Sequence, residues 1–256
     1  MSGAGLSRSG GNFFASVAAV TLSIAFGAAS ASAQADSGFY IRGMAGGAWA
    51  GDMAFRDVDP NASNALFAGA GAVRGNGGSS PLFGAGVGYK FTPMLWADVI
   101  VSGATGLRFD GASDPALVIT DLNAKIDAQS AMLNGYLDVA QLLRVPVGSL
   151  QPYVMTGLGY AHSHVGTMQG SAPRSAIPHF SLSGHDNNNF AWGAGAGLGV
   201  PVTDSITLDL AYEYIDLGEV RSGTIFSQPG AAPGPVGAIK ADLHTHTLQA
   251  SLRYGF

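Results

Sequence analysis

Three short arrangements in the 256-residue chain carry side chains that could do chemistry. His162-Ser163-His164 sets a hydroxyl between two imidazoles, the ingredients of a nucleophile and its base. In an extended strand, neighbours point to opposite faces, so Ser163 is directed away from both His residues. His162/His164 and His244/His246 are i, i+2 pairs, and each could offer two imidazoles on one face to a metal. The strands that carry them are not adjacent in the order derived below. Asp57, Asp59 and Asn61 open with the spacing of a calcium loop, but Ala62 replaces the turn glycine and Ala68 the closing glutamate. Interfacial histidines and a polar surface loop are the simpler reading, so no catalytic residue, metal or cofactor is expected.

The elements that position these residues follow from the distribution of apolar side chains. Mean hydropathy is +0.24, with 47% hydrophobic and only 11% charged residues. Beyond the N-terminus no apolar run reaches the roughly 18–20 residues of a spanning helix. Where water is absent, only helices and closed barrels pair every backbone group, so dispersed apolarity points to a barrel. A formal net charge of −5 gives no footing for nucleic acid. Cys is absent, which removes disulfides and thiolate metal sites.

At the N-terminus, Arg8 precedes an apolar stretch from Phe13 to Ala29, and Ala31-Ser32-Ala33 places small residues at both cleavage-determining positions. Residues 1–33 are expected to be a cleaved export signal and residues 34–256 the barrel domain. An uncleaved signal anchor is the alternative.

Eight segments alternate apolar or aromatic residues with small or polar ones, the period-two signature of strands with one face on lipid. They are Gly38–Ala50, Leu82–Phe91, Leu95–Phe109, Ala128–Val139, Pro152–Thr167, Asn189–Val200, Ile206–Leu217 and Asp242–Phe256. Thr92-Pro93-Met94 and Pro201–Ser205 are tight turns, whereas Gly51–Pro81, Asp110–Asp127 and Met168–Asn188 are long. Ala140–Gln151 is a longer connection marked by Pro146 and Gly148, and Gly218–Ala241, rich in Pro and Gly, is expected to be a mobile outside loop. The expected fold is all-β: an eight-stranded antiparallel up-and-down transmembrane barrel with short periplasmic turns and long extracellular loops.

Parity sorts the side chains. In the last strand Leu248, Ala250, Leu252, Tyr254 and Phe256 share the lipid face, while Thr247, Gln249, Ser251 and Arg253 face inward. Phe190 and Trp192 through Val200 send alternate residues outward and leave glycines inside, without the spacing or following helix of a nucleotide-binding loop. Tyr89, Phe91, Trp192, Tyr212, Tyr214 and Tyr254 fit lipid-facing or girdle positions. The inward face collects Arg42, Lys90, Asp98, Asp138, Asp209, Glu213 and Arg253, six of them near the periplasmic ends. Paired, they close the lumen; left open to water, the same ring is a selectivity filter. Both readings stand.

The segments Phe190-Ala191-Trp192-Gly193-Ala194-Gly195-Ala196-Gly197, Leu208 to Gly218 and Leu252-Arg253-Tyr254-Gly255-Phe256 resemble opacity-type, porin-like surface antigens of Gram-negative outer membranes. Pro152-Tyr153-Val154 with Gly157 to Ala161 is similar to the fifth strand of that family, and Phe39 to Gly43 to its first. The resemblance implies location in the cell outer membrane, surface exposure and no reaction. It further implies contact with outer-membrane lipids including lipopolysaccharide, and with host or surface ligands through the loops. Leu248, Leu252, Tyr254 and Phe256 look like the terminal signal read by the barrel-assembly machinery. The expected function is a non-enzymatic envelope protein that supports membrane integrity and surface interaction or adhesion. A narrow-pore porin gated by the interior charges is the alternative, and a lipid-modifying enzyme a third.

Overall fold

The computed structural model describes residues 38–67, 71–113, 121–171 and 179–256. Ala31, Ala33 and the rest of the expected export signal lie outside the described residues, as does Ala68. Eight long strands form the wall: β1 (Gly38–Ala50), β4 (Ser79–Thr92), β5 (Leu95–Ser113), β6 (Asp121–Asp138), β7 (Gln151–Val165), β10 (His185–Pro201), β11 (Ile206–Arg221) and β14 (Ile239–Gly255). Each pairs antiparallel with its neighbour in chain order. The ring closes where β14 returns to β1, from Tyr40 opposite Gly255 to Ala50 opposite Thr245.

All eight expected segments are strands, and the lengths differ mainly at the outer ends. There β4, β5, β6, β10, β11 and β14 continue past the expected limits. A bilayer needs only about 9–11 residues of tilted strand, so this surplus forms a collar above the membrane. Short strands complete it. β2 (Asp52–Asp57) and β3 (Ala72–Asn76) form a hairpin that bridges β14 and β5. β8 (Met168–Ser171), β9 (His179–Leu182), β12 (Ile225–Ser227) and β13 (Gly234–Pro235) extend the sheet beyond β6. Much of Gly218–Ala241 is therefore sheet rather than a mobile loop, because Val220, Ile239 and Ala241 are fully buried and hold their strands to the core.

The longer periplasmic connection contains α1 (Val139–Leu143). Asp138 caps its start by accepting from the Gln141 backbone N–H at 2.9 Å, and Arg144 ends it with φ of 56°. The expected strand end at Val139 gives way to this capped turn.

Parity holds along the wall, but its polarity inverts partway up. On β14, inward Thr245, Thr247 and Gln249 give way above to Leu243, Ala241 and Ile239, while outward Leu248 and Leu252 give way to Asp242 and Lys240. On β6, inward Asn134 and Ser130 give way to Ile126, Ala124 and Leu122, and outward Leu133 to Lys125 and Asn123. The inversion marks the outer membrane surface. Trp49, Trp192, Tyr212, Tyr214 and His246 stand at that level, and Phe39, Tyr89, Phe91 and Tyr254 at the periplasmic one. From His246 to Tyr254 is roughly 27 Å along the strand before tilt, in keeping with the apolar band of about 25 Å on such barrels.

Inward glycines make room for neighbours' rings. A Cβ on Gly88 would enter the Tyr40 ring, and one on Gly197 would meet Tyr153 Cζ at 2.6 Å, whereas outward Gly47 meets nothing within 4 Å. Gly88→Val should therefore destabilise the barrel by about 2 kcal/mol or more, and Gly47→Ala should be neutral within about 0.5 kcal/mol. Urea unfolding in micelles measures both.

Candidate functional site

The site with the densest chemistry is the lower lumen. Arg42 on β1, Asp98 on β5, Asp209 and Glu213 on β11 and Arg253 on β14 are all buried there. Asp98 is fully engaged: Arg42 Nη1 lies at 3.1 Å from Oδ2, Tyr40 donates to Oδ2 at 3.0 Å, and Tyr136 and Asn134 donate to Oδ1 at 3.0 and 3.2 Å. Asp209 takes a two-pronged contact from Arg253, Nε at 2.8 Å and Nη2 at 2.9 Å. Such fork geometry is the strong form of a carboxylate–guanidinium pair.

Aromatic rings complete the plug. The Arg42 guanidinium lies 4.6 Å from the Tyr136 ring centroid, and that of Arg253 lies 5.0 Å from the Trp96 ring. Trp96 stacks on Tyr136 at 5.5 Å, and Tyr153 meets both edge-on. Desolvated cation–ring contacts of this kind contribute about 2 kcal/mol. These rings occupy the space that interior glycines would otherwise leave to water.

Two of the seven charges named from sequence lie apart from this group. Asp138 caps α1 at the periplasmic mouth, its oxygens directed to Gln141. Lys90 is half-buried at the same mouth and makes no ion pair among the described residues. Parity identifies the face of a residue but not its partner, which is why these two were grouped with the rest.

The upper lumen is a second seal, which sequence reasoning missed. Phe55, Leu107, Phe109, Leu122, Ile126, Met168, Leu182 and Leu243 pack there as a dry apolar core fed from the collar strands. Its signal was the continuation of period two beyond the expected strand ends. Between the seals, Ser102, Ser130, Ile215, Thr245 and Thr247 line a cavity of about 20 Å³, room for about one water.

The remaining candidates separate as strand geometry requires. Ser163 is fully buried inside, whereas His162 and His164 project outward and contact Asn188 at 2.7 Å and Asp186 at 2.5 Å. His246 bonds Tyr212 Oη at 2.6 Å and stacks on Trp49 in the outer girdle, and β14 is separated from β7 by β11 and β10. Asp57 spends both carboxylate oxygens on the backbone N–H groups of Leu66 and Phe67, at 2.8 and 2.9 Å, and Asp59 accepts from Asn61 N–H at 3.0 Å. This loop is built by its own carboxylates. The terminal residues Leu248, Leu252, Tyr254 and Phe256 all face outward and are exposed.

In the collar, Glu219 binds Lys240 at 2.7 Å and Arg221 at 2.8 Å. Burial pushes the Glu219 carboxyl up, but the hydrogen bonds from both cations outweigh it and hold the group below the ordinary carboxylate range. The stabilisation is thus complete above that range and lost as pH falls through the depressed folded value.

A closed ring of eight antiparallel strands with an apolar outer band, aromatic girdles and polar and charged side chains inside defines an integral β-barrel of the outer membrane. The profile of the family described as "Outer membrane protein beta-barrel domain" matches residues 18–256, and the chain belongs to that family. Its relatives include the outer membrane protein PagN of Salmonella typhimurium, 32% identical over 225 residues, covering 82% of this chain and 85% of PagN. An uncharacterized protein of Brucella abortus is 29% identical over 204 residues, covering 70% of this chain and 69% of its own. Among solved structures, the outer membrane protein OprG of Pseudomonas aeruginosa matches with a TM-score of 0.48 and 15% identity, over 85% of this chain and 96% of OprG. The protein resides in the outer membrane.

Removal of one member of the buried pair leaves the other charge uncompensated. Arg253→Ala is expected to cost about 3–5 kcal/mol, and the double replacement Arg253→Met with Asp209→Leu to recover much of that loss. Unfolding midpoints of the three proteins in the same detergent measure the coupling.

Proposed function

We propose that the protein is a non-enzymatic, non-conducting barrel that anchors in the outer membrane, contributes to envelope integrity and presents its collar for surface interaction or adhesion. The observation that carries this reading is the double seal. An ionic-aromatic plug fills the lower lumen and an apolar core fills the upper one. An eight-stranded bore is just wide enough for side chains to fill, and here they fill it.

The collar supplies the surface. A cleft of about 560 Å³ opens between β6, β8, β9 and the segment after β12, lined by Asn123, Gln169, Phe180, Ser181 and Gln228 among others. Its size falls within the range of small-ligand sites, about 300–1,000 Å³, and its mixture of amides, hydroxyls, the Asp121 carboxylate, the His179 imidazole and the Phe180 ring suits a polar ligand. The outward girdle would contact lipids, lipopolysaccharide included, and the exposed Leu248, Leu252, Tyr254 and Phe256 would be read by the assembly machinery. Ser163 inside the wall and His162 and His164 outside it count against a nucleophile–base pair there.

Planar-bilayer recording on refolded protein tests the sealed lumen. Wild type should show no stable unit conductance. A steady wild-type conductance altered by Arg253→Ala or Asp209→Ala would favour the narrow-pore reading instead.

A further inference from the structure

The buried charges of the lower lumen do not balance. Arg42 and Arg253 face Asp98, Asp209 and Glu213, so the group carries one excess negative charge when all are ionised. Asp98 and Asp209 each hold an arginine, whereas among the described residues Glu213 makes no ion pair. Its Oε2 accepts only from Gln249 Nε2, at 3.3 Å.

Two amide oxygens beside it are also without donors. Asn134 Oδ1 and Gln249 Oε1 are buried and make no hydrogen bond, in side chains only 4% and 7% exposed. Neither amide can flip at low cost. Asn134 Nδ2 donates to Asp98 and Gln249 Nε2 to Glu213, so reversal would set a carbonyl oxygen against a carboxylate. The carboxylates thus fix both oxygens in place.

The Asn134 and Glu213 acceptors lean over adjacent strands. Asn134 Oδ1 lies over Gly157, and Glu213 Oε1 is 3.0 Å from where a Cβ of Gly193 would stand. Gly157 and Gly193 are paired residues on β7 and β10, so their Cα atoms are about 5 Å apart. Gln249 joins through its bond to Glu213. Hard cations take oxygen ligands, and neither glycine carries a side chain to stand between the two oxygens.

We propose that Glu213, Asn134 and Gln249 form a buried site for a monovalent alkali cation, which neutralises the lumenal charge group. One unit of excess charge matches a monovalent ion and would be overshot by a divalent one. The site is blind rather than conducting. The aromatic plug lies below it, and Ile215 and Leu217 of the apolar core above. A water, or a proton on Glu213 donated to the same amides, is the competing occupant.

The test is thermal unfolding of refolded protein in micelles at mildly alkaline pH, with sodium or potassium chloride exchanged for choline chloride at matched ionic strength. The alkali salts should raise the midpoint by roughly 2–4 °C. Glu213→Gln keeps the shape and removes the excess charge, and should fold but lose the dependence. Sodium-23 relaxation of the wild-type protein gives a direct reading, with broadening that potassium relieves. Equal wild-type midpoints in all three salts with no broadening, or an undiminished alkali effect in Glu213→Gln, would overturn the site.

Discussion

Hydrocarbon offers no hydrogen bonds, and the closure of β1 on β14 is the contact on which the rest of this protein depends. Without it, two strands would present unpaired N–H and C=O groups to lipid, each at a cost of several kcal/mol. The seam is continuous from Tyr40 opposite Gly255 to Ala50 opposite Thr245, and Phe256 N–H reaches Phe39 O at 3.1 Å to finish it. Closure with eight strands fixes a narrow bore. Several large inward side chains then lean over an inward glycine, as Tyr40 does over Gly88 and Tyr153 over Gly197.

With the backbone satisfied, the solvent outside the wall decides which side chains go inside. In the membrane band the outer face must be apolar, so the polar and charged residues of each strand turn inward and have to pair there. Above the band the outer face meets water, and the strands revert to the ordinary arrangement of a soluble sheet. The inward Leu243, Ala241 and Ile239 of β14 thus form a core, while Asp242 and Lys240 face out. One unbroken strand serves two solvents by exchanging the roles of its faces. The lower lumen is therefore packed with ions and rings and the upper one with hydrocarbon.

Much of this was legible in the sequence because period two is strict. The eight strands, their order and the inward position of Arg42, Asp98, Asp209, Glu213 and Arg253 follow from alternation alone. The same parity places Tyr40, Trp96 and Tyr136 inward, yet aromatic residues suggest lipid contact, and their part in the plug was missed for that reason. The collar was missed because alternation with charged residues outside and apolar residues inside, as in Leu122 to Ile126, is the reverse of the membrane pattern and reads as loop. Asp138 and Lys90 show the other limit. Height and partner depend on turn geometry, such as the α1 cap, that no period contains.

The plug also bears on which barrel the chain can form. Sliding any one of its strands by one residue would turn every side chain on that strand to the opposite face. For β5 this would send Asp98 into lipid, for β11 Asp209 and Glu213, and for β1 Arg42. A charge on the lipid face costs about 2–4 kcal/mol at the midplane for Arg and less for Asp or Glu, and the partner left inside would be buried without compensation. Strand β10 carries none of these charges and resists slipping sterically, since a one-residue shift would turn Phe190, Trp192, Leu198 and Val200 into the lumen, where even a Cβ on Gly195 or Gly197 meets its neighbours. A purely apolar plug would seal the same bore but penalise a slip far less, because its residues are acceptable to lipid. The ionic core thus sets the register of the four strands that carry it, β1, β5, β11 and β14.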